Sequence, residues 1–286
     1  MTVPSPPPVP VIGGSTRLYA VLGCPVSQVR APALLNPLFA ELALDAVLFP
    51  VLAEPGDLGE IVRGLQRVGN LDGLLVTVPH KRDVCRYADS VSEAVTLSGS
   101  ANALRREPDG RWSADNFDGA GFVRGLRARG FEPAGRQVTL VGAGGAGSAV
   151  AVSLLAAGVA HLRLCDPDEA ALAALVPRLT AHWPGRISGS ATPRLAEADL
   201  AVNATPLGLS PEDPLPFDVA ALPPGAMVAD IIMRPEETAL LRAAAERGHT
   251  VHHGSPMLAH QLDFYREFFG LDRAAGRPTA APAPAQ

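Results

Sequence analysis

Gln137 to Gly147 reads QVTLVGAGGAG, and this stretch decides the fold. Gln137 to Val141 has the look of a buried strand, and Ser148 to Ala157 reads as a helix of small residues. Gly142, Gly144 and Gly147 between them fit G-x-G-x-x-G. The first glycine makes a tight turn, the second lets backbone approach a pyrophosphate, and the third lets helix and strand pack closely. The helix N-terminus then presents N–H groups and positive dipole to phosphates. The next strand, His161 to Cys165, ends at Asp166, nineteen residues after Gly147. Gly142, Ala143, Gly144, Gly145, Ala146 and Asp166 are therefore the expected dinucleotide site. An acid at Asp166 accepts hydrogen bonds from the ribose hydroxyls and repels a 2′-phosphate. Leu164 to Asp168 (LCDPD) contains no arginine to hold that phosphate, so NAD is expected over NADP. The plainer alternative is that Asp166 only caps the following turn.

Working outward, strand and helix keep alternating. Downstream come a helix over Glu169 to Thr180, strands at Leu200 to Asn203 and Met227 to Ile232, a helix over Glu237 to Arg247, and a strand at Thr250 to His253. Upstream, Leu18 to Leu22, Ala46 to Val51 and Gly73 to Val78 read as strands. Between them, Pro32 to Leu44 and Leu58 to Val68 carry apolar residues at helical spacing. This order predicts an α/β protein with a parallel-type sheet in each half. The expected division is a tail over 1–16, a first domain over 17–117, a Rossmann domain over 118–254, and a tail over 273–286. The first tail is dense in proline and the second in proline and alanine.

Composition excludes several other classes. The chain has 286 residues, 47% of them hydrophobic and 19% charged, so disorder throughout is excluded. A formal net charge of −5 gives no support for nucleic-acid or anionic-membrane binding. Cys24, Cys85 and Cys165 are odd in number and far apart, which fits neither a disulfide framework nor a metal site and favours a reducing, cytoplasmic compartment. No apolar run approaches the ~20 residues of a membrane span. Met1 to Pro10 has no basic or apolar region of a secretory signal.

Further motifs recur in a fixed order: VTVPHK at Val76 to Lys81, GSAN at Gly99 to Asn102, DNFDG at Asp115 to Gly119, NATPLG at Asn203 to Gly208, and MLAHQ at Met257 to Gln261. Together with the glycine loop, this order resembles the shikimate dehydrogenase family over almost the whole chain, from Gly23 to about Phe269. The resemblance implies an N-terminal substrate domain, a C-terminal Rossmann domain, and a last helix (255–272) returning to the first. It implies reversible hydride transfer between a nicotinamide and a secondary alcohol on a cyclohexene or cyclohexane ring, in a monomer or homodimer whose partner is a small molecule. Lys81 and Asp118 match the family's catalytic pair. The chemistry is sensible in itself: a lysine held near a carboxylate can hydrogen-bond the alcohol and relay its proton. The plain readings are a solvated loop lysine and a helix N-cap. Thr77, Asn102 and Gln261 match positions that bind ring hydroxyls. Asn203, Thr205, Pro206, Gly254 and Met257 match the cofactor side. His80, His252, His253 and His260 have no partners at metal-ligand spacing and are expected to be structural or solvent-facing.

The departures from the family pattern cluster. Val29 and Ala31 stand where two serines hold the shikimate carboxylate, Met233 where a tyrosine is usual, Phe117 where threonine is usual, and Leu75 where asparagine is usual. Val29, Ala31 and Met233 match the carboxylate end, and Phe117 adds bulk. The proton-relay end is kept while the recognition end is rewritten. Three readings remain: an NAD-dependent enzyme for a less polar ring alcohol, a shikimate or quinate dehydrogenase in which Gln28, Arg30 or Arg234 replaces the missing donors, and a catalytically idle NAD-binding regulator.

Overall fold

The computed structural model describes residues 11–272, so the expected C-terminal tail and residues 1–10 lie outside the described part. Residues 13–16 form a turn in which Thr16, buried, donates to Asp45 (2.6 Å), so order begins before Arg17.

Two six-stranded sheets make up the molecule. The first begins with β1 (Arg17–Gly23), α1 (Ala31–Glu41), β2 (Ala46–Leu52), α2 (Leu58–Gln66) and β3 (Leu71–Val76). It continues with β4 (Ser90–Val91), α3 (Glu93–Ser98), β5 (Ala103–Arg106) and β6 (Trp112–Asp115). Its strand order is β2-β1-β3-β5-β6-β4. β1, β2 and β3 are parallel, but β5 runs antiparallel to both β3 and β6. The first sheet is thus mostly parallel, as expected, with one antiparallel strand, β5. The reason is a hairpin whose turn, Glu107 to Arg111, contains the turn-forming Pro108-Asp109-Gly110, with Gly110 at φ 87°. A connection this short joins only antiparallel strands.

The second sheet follows α4 (Asp118–Ala128). Its elements are β7 (Gln137–Val141), α5 (Gly145–Ala156), β8 (His161–Cys165), α6 (Glu169–His182), β9 (Ile187–Ser190), β10 (Leu200–Asn203), β11 (Met227–Asp230), α7 (Ala239–Glu246) and β12 (Thr250–His252). The order β12-β11-β10-β7-β8-β9 is parallel throughout. This is the doubly wound arrangement in which the chain reverses direction between β7 and β10, opening a crevice at the carboxyl ends of the strands. α5 buries eight of its twelve residues, because α3 and α4 pack on it as well as the sheet. A helix apolar on all sides belongs in such a place. Gly119 permits the crossing of α4 over α5: a Cβ there would lie 2.1 Å from Ala149 O.

The chain ends with α8 (Ser255–Ala259) and α9 (Leu262–Phe268), two short helices where one was expected. Tyr265 on α9 and Phe269 just after it pack in one cluster with Tyr19 and Leu75 of the first sheet and Phe39 of α1, so the described chain ends against that sheet. No described helix is long and apolar enough to cross a membrane.

Candidate active site

Four segments distant in sequence converge between the sheets. The chain leaves β3 at Val76 and turns over Thr77 to His80, where His80 N donates to Thr77 O. The His80 ring is buried and its Nε2 lies 2.7 Å from Ala53 O, which anchors the turn. Lys81 is fixed at its backbone by Ala101 N, which donates to Lys81 O (2.7 Å). Its side chain is 11% exposed and its Nζ donates to Asp118 Oδ2 at 2.5 Å. Asp118 opens α4, where the positive end of the helix dipole favours a carboxylate. Its other oxygen, Oδ1, accepts from Asn102 Nδ2 (3.0 Å) and Gln261 Nε2 (3.3 Å).

This satisfied environment matters because a buried ion pair loses several kcal/mol of hydration per charge unless hydrogen bonds replace it. Asn102 is itself oriented, since its Oδ1 accepts from Phe117 N (3.0 Å). A fifth member was absent from the sequence reading. Tyr265 Oη donates to Gln261 Oε1 (2.5 Å) and accepts from Asn102 Nδ2 (3.2 Å). Burial, and then the Asp118 charge, push its phenol well above the ordinary value, so it stays neutral. The i, i+4 spacing from Gln261 was the available signal. Thr77 is half-buried at the end of β3, with its N–H donating to Leu22 O.

The glycine loop meets this cluster. Gly142 has φ 109°, and a Cβ there would lie 2.6 Å from Ala204 O. A Cβ on Gly147 would lie 2.0 Å from Gly142 O, whereas Gly144 faces open space. No side chain caps α5, so its first-turn amides face that space. A cradle of this shape fits a pyrophosphate. Asp166 accepts from Ala143 N (2.6 Å) through Oδ2 and from Asp168 N (2.9 Å) through Oδ1, so it orders the loop as well as edging it. Asn203 is also a scaffold: its Oδ1 accepts from both Thr205 N and Thr205 Oγ1, and its Nδ2 donates to Leu207 O. Pro206 lies exposed beside them, while Met257 is buried under α4 and a Cβ on Gly254 would lie 2.3 Å from Ile232 O. The loop also touches the first sheet's residues. A Cβ on Gly145 would sit 2.9 Å from Lys81 Cβ, and Ser100 Oγ donates to Gly145 O (2.7 Å). Ser100 was not singled out from sequence; nothing marked it apart from its neighbours.

The other end of the cleft is apolar. Val29 and Ala31 pack with Leu34, Phe117 and Leu258. The Phe117 ring stacks on Phe264 (5.8 Å between centroids) and meets Tyr265 and Phe268 edge-on. Met233 packs instead against the core of the second sheet, so it is not brought into the same cluster as Val29. Arg30 turns away to donate to Ser255 Oγ (2.8 Å) and lines a cavity of about 350 Å³ with Leu34, Leu258, Arg129, His253 and His260. None of the Lys81 cluster lines that cavity. Arg234 is exposed. His252 is fully buried with both ring nitrogens unpartnered; burial, then the charges of Arg129, His253 and His260, lower its pKa to about 4. It is neutral at physiological pH and is no acid–base candidate.

Comparison with known proteins places these features in context. Residues 21–104 match the family described as shikimate dehydrogenase substrate binding domain. The chain is 41% identical over 274 residues to a protein named shikimate dehydrogenase (NADP(+)) from Rubrobacter xylanophilus, covering 94% of this chain and 96% of that one. It is similar to the structure of shikimate 5-dehydrogenase from Listeria monocytogenes in complex with shikimate and NAD, with 26% identity, a TM-score of 0.79, and 94% and 95% of the two chains covered. It is also similar to quinate dehydrogenase from Corynebacterium glutamicum in complex with NAD, with 29% identity, a TM-score of 0.78, and coverage of 91% and 97%.

Proposed function

The chain belongs to the shikimate dehydrogenase family, and from that premise we propose that Lys81 and Asp118 carry proton transfer for a ring alcohol that is less polar than shikimate at its carboxylate end. The protein is an oxidoreductase acting on the CH–OH group of a cyclic alcohol. The observation that carries the assignment of roles is the buried Lys81–Asp118 pair, 2.5 Å apart, set against the glycine loop.

A nicotinamide dinucleotide held by the glycine loop would supply the hydride donor or acceptor. In the reducing direction, Lys81 Nζ donates a proton to the carbonyl oxygen; in the oxidising direction it takes the hydroxyl proton. Asp118 keeps Nζ in place. Asn102 and Gln261 offer amide donors and acceptors to neighbouring ring hydroxyls, and Thr77 offers a hydroxyl from the end of β3. Residues of the glycine loop hold the pyrophosphate, with Asn203 and Thr205 shaping the opposite wall.

We place NAD ahead of NADP. Asp166, Asp168 and Glu169 put three carboxylates at the end of β8 and the start of α6, and no cation lies among residues 164–170. That field opposes a 2′-phosphate. The Rubrobacter relative is named for NADP and the two solved structures hold NAD, so kcat/KM with both cofactors is the deciding measurement. A higher value with NADP refutes the preference. The three free thiols support a reducing, cytoplasmic setting.

The apolar lining at Val29 and Ala31 supports the substrate reading, since neither side chain donates a hydrogen bond. A second reading has one observation in its favour: Arg30, held by Ser255, is the cation nearest in sequence to that lining. If Arg30 grips a carboxylate, the wild type turns over shikimate with a low KM and Arg30→Ala loses binding. Weak activity on shikimate, with better activity on a less polar ring alcohol, supports the first reading.

A further inference from the structure

Residues 164–170, around Asp166, hold no arginine, but the fold brings one to the loop from elsewhere. Arg82 follows Lys81 directly, in the segment after β3. Its Nη2 crosses between the two sheets and donates to Ala143 O, the carbonyl immediately before Gly144. Ala143 is thus held at both of its backbone polar groups, by Arg82 at the C=O and by Asp166 at the N–H. Arg178 of α6 shares this rim. Its Nε donates to Leu97 O (2.7 Å), and burial, then the Arg82 charge, lowers its pKa.

One carbonyl occupies one of the five donors of a guanidinium. Arg82 is exposed, next to a backbone cradle that no side chain fills. A planar fork of donors beside a phosphate-sized cradle is matched to a phosphate oxygen pair. A surface lysine or arginine elsewhere would have no such neighbour. We propose that Arg82 binds a phosphate of the dinucleotide, reaching from the first sheet to a ligand cradled by the second. This rests on the reading of the glycine loop as a dinucleotide site. Because Arg82 adjoins Lys81, whose side chain leaves no room for a Cβ on Gly145, phosphate binding also draws the proton-relay lysine and the cofactor loop together.

Two phosphates are within the same chemistry: the pyrophosphate common to NAD and NADP, and the 2′-phosphate of NADP. Titration calorimetry of Arg82→Gln, Arg82→Lys and wild type with NAD, NADP and adenosine separates them. Arg82→Gln is expected to weaken both dinucleotides about tenfold, equivalent to ~1.4 kcal/mol, while adenosine binding stays unchanged and Arg82→Lys recovers part of the loss. The affinity of the variant should also fall less steeply with added salt. A loss confined to NADP assigns the guanidinium to the 2′-phosphate and supports the phosphate role. Unchanged NAD and NADP affinity in Arg82→Gln, or an equal loss for adenosine, overturns the proposal and leaves Arg82 as a loop strut. Failure of the wild type to bind either dinucleotide overturns both this proposal and the reading beneath it. Since Arg82 is exposed, a matched thermal midpoint between variant and wild type confirms that binding, and not folding, is measured.

Discussion

The two ends of the cleft are built on opposite principles. Around Lys81, five side chains from four segments share a closed set of hydrogen bonds: Lys81, Asp118, Asn102, Gln261 and Tyr265. Around Val29, the side chains gathered in the same apolar cluster include Ala31, Leu34, Leu258 and the Phe117 ring, none of which carries a polar atom to be partnered. A polar network in low dielectric is stable only when every member is partnered, so any change there is felt by several residues at once. An apolar wall has no such requirement and can change one side chain at a time. On the proposed reading, this difference lets the proton-transfer end stay fixed while the recognition end is rewritten.

The sharpest way to break this contrast is at the polar end. Lys81→Ala should lower turnover by roughly 10²–10⁴, the usual range for a general acid–base group, with NAD affinity nearly unchanged. Asp118→Asn should do comparable damage, because Lys81 loses the charge that holds it. Near-native turnover in either variant, with chemistry rate-limiting, would show that the residue has another role.

At the apolar end the expected effect is smaller and of opposite sign. Val29→Ser with Ala31→Ser should raise kcat/KM for shikimate by about tenfold if one charge-assisted hydrogen bond of ~1.4 kcal/mol is recovered. An unchanged kcat/KM, together with a low wild-type KM, would transfer carboxylate recognition to Arg30.

The smallest effect tests whether Tyr265 belongs to the polar end or merely fills space beneath it. Tyr265→Phe keeps the ring contacts with Phe117 and Phe269 and removes the hydroxyl from Gln261 and Asn102. KM should rise by about three- to tenfold, consistent with one buried hydrogen bond, while kcat changes less. Equal falls in kcat and kcat/KM would instead make the hydroxyl part of the proton-transfer geometry. A change in the thermal midpoint alone would make Tyr265 purely structural.

Much of this was legible in the residue order. The strand, glycine loop and helix from Gln137 onward were readable because each glycine there answers to a local backbone constraint, and Gly142 and Gly147 prove to be positions where a Cβ would collide. The Lys81–Asp118 pair was readable through motif order. Direction in the first sheet was not: β5 and β6 are short strands whose alternation resembles any other, and only the Pro108-Asp109-Gly110 turn hinted at a hairpin. The histidines expected to be structural include His80, whose ring is sealed against Ala53 O.

By itself, the sequence determined the alternation of strands and helices and the glycine cradle, since these depend on periodicity and glycine placement within short windows, and it singled out Lys81 and Asp118 as the candidate proton-transfer pair through motif order. Tertiary structure alone decided which distant groups meet: Tyr265 beneath Asn102, Ser100 against Gly145, Arg82 upon Ala143, and Met233 apart from Val29. Such meetings depend on where the two sheets and the returning α9 lie in space, and a hydrogen bond exists only within about 3 Å of its partner, whatever the separation along the chain.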